Sequence, residues 1–319
     1  MDIRDKINNH KLWVVTEKKQ GKRADFKGKD LTANDLSGNI LDGAMFKGAV
    51  LCMTNLSYCD LKNANFENAD LTGADLSGSD LSGANLKGAI LDGAVLTHSV
   101  MVNANLKGAS FSGTWLVSTN LTGSNLTGAE FFGTKFLDTV FENVNLTDAS
   151  LLKLDLCGIN LSGSHGKNTN FTGSSLKKAI MKGAVYKDSV FIGANFEFSV
   201  LGDSSFKKCD FTEAKFGDAI VSKCDFSESD LKGSLFPNAN ITDTVFKKAY
   251  LLMSDLSTAK LYSCDFSASQ LNGAIFNNTY IYDTGFANAV FNGADLSHMN
   301  NKRGYFSEAD LTGAVLPEK

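Results

Sequence analysis

The sequence predicts a repeat fold in which the chain turns once every five residues around a narrow, closely packed interior. Three observations carry that prediction. A large apolar residue recurs at every fifth position, from Phe26, Leu31, Leu36 and Leu41 through to Leu316. Only Gly166 and Asn301 break the series, and no residue is inserted or deleted along it. Two positions before each centre a small residue is usual, as at Ala24, Ala44, Ala49, Ala64, Ala69 and Ala74, and two positions after it Gly, Asn or Asp is common.

Each part of that pattern has a physical reason. A period of five fits neither the helix period of 3.6 nor the strand period of 2. Something must therefore bend the chain once per repeat, and Gly, Asn and Asp are the residues that tolerate turn dihedrals. One large and one small inward residue per repeat fill a narrow core. The chain has 319 residues, 43% hydrophobic and 21% charged, which excludes a disordered tail. Only 2 prolines occur, which argues against irregular loops and Pro-rich linkers. The net charge of −4 is too mild to point to nucleic acid.

The repeats resemble the pentapeptide-repeat family, whose motif is A(D/N)LXX. Ala69-Asp70-Leu71-Thr72-Gly73 and Ala74-Asp75-Leu76-Ser77-Gly78 are clear copies. The resemblance implies an all-β fold, a right-handed quadrilateral parallel β-helix with four repeats, or 20 residues, in each coil. On that basis residues 24–316 form the β-solenoid. About 15 coils at ~4.8 Å give a rod of roughly 70 Å.

The sequence tests the 20-residue coil directly. Phenylalanines at 26, 46, 66, 206, 226, 246, 266, 286 and 306 all fall on one side, whereas the Leu41 side has only Phe141. Strands ~4.8 Å apart let such rings stack. Phe206, Phe226, Phe246, Phe266, Phe286 and Phe306 are therefore expected to form a core ladder.

Residues 1–23 stand outside the repeat and are expected to cap the first coil, with Ile3, Ile7, Leu12 and Trp13 as the apolar face. Their His10-Lys11-Leu12-Trp13 and Gly21-Lys22-Arg23-Ala24-Asp25 stretches are similar to lead-ins of bacterial family members. Residues 317–319 form a C-terminal tail with no visible cap, which suggests an end-to-end homodimer through the C-terminal coil. No stretch approaches ~18 consecutive apolar residues and no secretory signal is visible, so a bacterial cytoplasmic location is expected.

No enzyme chemistry is expected. The four histidines His10, His98, His165 and His298 are scattered, with no HExxH and no serine-elbow context. The 6 cysteines show no CxxC pair, so neither a metal site nor a disulfide framework is indicated, and no cofactor is implied. Cys59, Cys209, Cys224 and Cys264 occupy the small inward slot as core filler.

Outward positions carry the functional candidates. Lys27, Lys47, Lys87, Lys107, Lys167, Lys187, Lys207 and Lys247 line one column of the Phe26 side. Such a basic column orients a partner, or equally serves as a solvated edge that blocks sideways sheet pairing. On the Leu41 side Ile180, Val200 and Ile220 face out in successive coils. Further along, Tyr262, Tyr280 and Tyr282 stand together, flanked by Lys260, Lys302 and Arg303, which is the composition of a binding hot spot. The patch adjoins an irregular coil at Met299–Gly304, and the other irregular spot, Gly166, is expected to leave a local dent or kink.

These features predict a non-enzymatic, rod-like scaffold that binds a protein partner through its faces. Two alternatives remain. Some family members act as DNA-mimicking binders of type II topoisomerase (gyrase) and confer antibiotic resistance. The other is a bacterial effector, delivered to act by binding a host or competitor protein.

Overall fold

The fold, a computed structural model, describes residues 2–317; Glu318 and Lys319 of the tail lie outside the described residues. The chain forms two compact units, Met1–Ser150 and Leu151–Lys319. Both are parallel β-solenoids in which residue i pairs with residue i + 20, from Asp25↔Met45 in the first unit to Asp295↔Val315 in the second.

One coil shows how the repeat builds the backbone. The Phe26 N–H donates to the Met45 carbonyl at 2.7 Å, and the Met45 N–H to the Ala24 carbonyl at 3.0 Å, so neighbouring coils exchange bonds. Many corners are turns closed by a bond such as Ala44 N–H to Leu41 O at 2.9 Å, and at others the N–H goes to the next coil, as Leu154 N–H does to Ser174 Oγ at 2.9 Å. The third turn residue has positive φ, +72° at Gly43, the signature of a type II turn. Asn63 (φ 53°) and even Tyr58 (φ 56°) accept the same conformation. Most sides meet through a single bridged pair rather than a long strand.

The interior is closely packed with apolar centres and small residues. Leu41, Phe46, Leu51, Leu56 and Leu61 are fully buried, as are the small residues Ala44 and Ala64. Where the small slot is polar its hydroxyl finds a carbonyl. Thr54 Oγ1 donates to Leu31 O at 2.7 Å and Ser229 Oγ to Phe206 O at 2.6 Å. Four of the cysteines sit in this slot, and burial pushes the Cys59 and Cys224 thiols up to about 11.

In the first unit a helix, α1 (Ile3–Val15), precedes the repeats. The Asp2 side chain accepts from the Ile3 N–H at its start, a helix N-cap. Ile7 and His10 are its buried residues, whereas Leu12 is 39% exposed. Positions 3, 7 and 10 share one helical face, and 12 lies off it, so His10 takes the inward place expected for Leu12. Gly21 (φ 73°) brings the chain back against α1, where any Cβ would collide with the Asn9 carbonyl. The first-coil centres Phe26, Leu31, Leu36 and Leu41 are at most 2% exposed. Two short strands, β1 (Trp115–Val117) and β2 (Lys135–Leu137), pair in parallel.

In the second unit β3 (His165–Lys167) pairs with β4 (Val185–Lys187). A six-stranded parallel sheet follows from β5 (Val200–Gly202), β6 (Ile220–Ser222), β7 (Asn240–Thr242), β8 (Lys260–Tyr262), β9 (Tyr280–Gly285) and β10 (Asn300–Tyr305), in chain order.

The dent expected at Gly166 is filled. Gly166 pairs in register with Tyr186, whose ring is fully buried and whose hydroxyl lies 2.8 Å from Ser164 Oγ. The glycine leaves the volume and the tyrosine of the next coil takes it. Burial pushes the Tyr186 phenol well above its usual range.

Candidate functional site

The candidate surface is the outer face of the β5–β10 sheet. Its inward residues Leu201, Val221, Ile241, Leu261 and Ile281 anchor it in the core. The residues on either side of each centre then point outward by strand alternation. One outward column runs Val200, Ile220, Asn240, Lys260, Tyr280 and Asn300, and the other Gly202, Ser222, Thr242, Tyr262 and Tyr282. Ile180, bridged to Val200, extends the apolar stripe, and Ile180, Val200 and Ile220 are all exposed.

Tyr262, Tyr280 and Tyr282 form one cluster. Tyr262 lies 5.4 Å from Tyr280 and 6.5 Å from Tyr282, centroid to centroid, with tilted rings. Tyr262 and Tyr280 are half-buried, and Tyr282 is 42% exposed. Lys260 pairs in register with Tyr280, and the Arg303 guanidinium sits 6.0 Å from the Tyr282 ring centroid. This distance is at the outer edge of a cation–π contact. Lys302 is exposed and falls out of register, because β10 bulges between Asn301 and Arg303. At that bulge Asn301 Oδ1 accepts from the Gly304 N–H at 2.7 Å.

Two residues of the cluster carried no flag in the sequence, Tyr305 and Asp283. Arg303 Nε donates to Tyr305 Oη at 2.7 Å, Tyr305 Oη donates to Asp283 Oδ1 at 3.0 Å, and Arg303 also pairs with Asp283 at 3.6 Å. The guanidinium is thereby held in place beside the tyrosines. The bulge that brings Arg303 opposite Tyr282 has no period-five signature, which is why spacing alone missed the network. Trp115, Phe132 and Leu137 are further exposed apolar residues of the first unit. Their signal was available, since all three occupy outward positions of the repeat.

The lysines of the basic column lie one coil apart within each unit. The Gly28 N–H bonds Lys47 O and the Gly88 N–H bonds Lys107 O in the first, and in the second Asn168 N–H bonds Lys187 O and Asp188 N–H bonds Lys207 O. The column is partly neutralised: Lys47 pairs with Glu67 at 2.7 Å, Lys167 with Asp188 at 4.0 Å, and Lys207 with Asp225 at 2.9 Å. Lys27, Lys87, Lys107, Lys187 and Lys247 are exposed. The phenyl rings stack at 5.2 Å for Phe206–Phe226, 5.2 Å for Phe226–Phe246 and 4.6 Å for Phe246–Phe266. The series continues at 5.1 Å for Phe266–Phe286 and 4.8 Å for Phe286–Phe306.

Among the described residues no group of three or more His, Cys, Asp or Glu could hold a metal ion, and no helix is long and apolar enough to cross a membrane. Hollows flank α1, one of them lined by Trp13, Arg23, Asp42 and Gly43.

No curated protein sequence matches the chain. Among solved structures, HetL, a pentapeptide repeat protein involved in heterocyst differentiation regulation in the cyanobacterium Nostoc, is 18% identical over 96% of this chain and 95% of its own, with a TM-score of 0.25. QnrB1, a plasmid-mediated fluoroquinolone resistance protein, is 19% identical over 53% of this chain and 87% of its own, at a TM-score of 0.28. A pentapeptide repeat protein of the Arabidopsis thaliana thylakoid lumen is 40% identical over 32% of this chain and 67% of its own, at a TM-score of 0.23. The family described as pentapeptide repeats matches in 8 copies, at residues 54–88, 89–128, 124–163, 155–185, 189–227, 224–261, 239–278 and 259–297. With that coverage, and with a backbone that repeats every 20 residues, the chain belongs to the pentapeptide-repeat family.

Proposed function

We propose that this protein is a non-enzymatic interaction scaffold that binds a protein partner through the outer face of the β5–β10 sheet. The observation that carries this reading is the tyrosine cluster, three amphipathic rings held on a flat parallel sheet with Lys260 and Arg303 beside them. Tyrosine and arginine are enriched in binding hot spots, and tyrosine gives a large contact area at low entropic cost. The apolar stripe Ile180, Val200 and Ile220 extends the same face.

A partner is captured with the full-length protein and identified by mass spectrometry. Replacing Tyr262, Tyr280 and Tyr282 together by Ser is expected to weaken its binding by roughly 2 kcal/mol or more. The melting temperature should change little, since all three rings are at least partly exposed. Equal affinity of the triple variant overturns the reading. A gyrase supercoiling assay separates the topoisomerase alternative, which requires a duplex-like acidic surface. The two outward columns of this sheet carry lysine and no carboxylate between Val200 and Tyr282.

A further inference from the structure

The imidazole of His10 is fully buried in the first unit, between α1 and the first coil. Its Nδ1 accepts the Ala24 N–H at 3.0 Å, the first residue of the repeats. The ring stacks on Trp13 at 5.4 Å between centroids. Nε2 lies toward the Leu41 and Asp42 carbonyls but has no hydrogen-bond partner. Only the neutral tautomer with its proton on Nε2 fits this arrangement, because Nδ1 must keep a lone pair for Ala24.

We infer that α1 is an acid-releasable cap, docked over the first coil while His10 is neutral and loosened when the ring takes a second proton. That proton goes to Nδ1, the acceptor of the Ala24 N–H, and sets two donors against each other in a buried site. The charged groups facing the ring are Arg23, which disfavours the cation, and Asp42, which favours it. On α1 itself Lys6 stands one turn before His10, its ammonium on the Asp25 carbonyl at 2.8 Å and 5.3 Å from the Phe26 ring centroid. Burial is the largest influence and pushes the imidazole below its usual value.

The sign follows by linkage. The docked form binds the proton more weakly than the released form, whose pKa is ~6.5. Docking is therefore complete above about pH 6.5 and weakens as pH falls, by up to about tenfold per pH unit. Release uncovers the first coil, where Phe26 and Leu31 lie at an open parallel-sheet edge.

The test is amide hydrogen exchange of the full chain at pH 7.5 and 5.5, corrected for intrinsic rates. The expected result is a loss of protection at Ala24 and its neighbours, at most about tenfold, with unchanged protection at Phe226 and Phe246 as internal references. In His10→Asn the side-chain oxygen replaces Nδ1 as acceptor without titrating, so protection there should not depend on pH. Unchanged protection of the wild-type protein at pH 5.5, or an equal loss in His10→Asn, overturns the inference. If His10→Asn fails to dock at either pH, an NMR titration of the wild-type imidazole decides. A midpoint below 6.5 supports the cap, and one at or above 6.5 refutes it.

Discussion

At the scale of single residues, the repeat's polar positions turn out to be hydrogen-bonding positions. The residue before each centre is often Asp or Asn because its side chain accepts the N–H two residues on, as Asp70 Oδ1 does from Thr72 N at 3.0 Å. Hydroxyls at the same site add a second bond, and these hydroxyls hold Asp30, Asp70, Asp295 and Asp310 below the usual carboxylate range. Their folded-state pKa is depressed, so their contribution is complete above the unfolded value of ~3.9 and is lost as pH falls through the folded one. Thermal melts from pH 7 to 2.5 should show this acid limb. Asp70→Asn keeps an acceptor oxygen and removes the titration, so it should lose less stability between pH 7 and pH 3 than the wild type.

Tyr186 gives a second residue-scale prediction. Tyr186→Phe removes only the hydroxyl facing Ser164, whose own oxygen keeps its bond to Leu161 O, and should cost about 1 kcal/mol. Tyr186→Ala opens a cavity beside Gly166 and should cost about 3–5 kcal/mol. Denaturant unfolding measures both, and similar costs for the two variants would refute the account of a filled void.

At the scale of elements, the period-five pattern exposed the coil sides and the inward and outward positions before any coordinates. The Phe206 column shows why: a ring every 20 residues has meaning only if coils stack. Helix α1 was less legible, since its burial is decided by its angle to the first coil, and Leu12 lost its place to His10. The bulge in β10 was illegible, because Asn301 marks an irregular centre without saying which neighbour fills the register. A core prediction belongs here. Phe226→Ala should cost about 3–5 kcal/mol, because the ring stacks on Phe206 and Phe246 with no solvent to enter the gap.

At the scale of the whole chain, both units obey the same rule of contact with the next coil only, and stability should be close to a sum of local terms. Phe46→Ala, in the first unit, and Phe226→Ala, in the second, share no partner. Their destabilisation should add to within about 0.5 kcal/mol. Exchange protection measured in each unit checks this, and strong coupling between the two substitutions would refute it. Family and fold were legible because the repeat spans nearly the entire sequence. The partner was not, because outward positions are under no packing constraint and each allows many residues.

Near-identical coils pose a problem of bookkeeping for a folding chain, because a segment wound one coil out of step still finds leucine above leucine. Tyr186 is matched to one neighbour: its phenol sits over Gly166, the one glycine among the centres, and meets the Ser164 hydroxyl of the same coil. Like an index notch on a ratchet, that pair marks one position among the otherwise similar turns of the second unit.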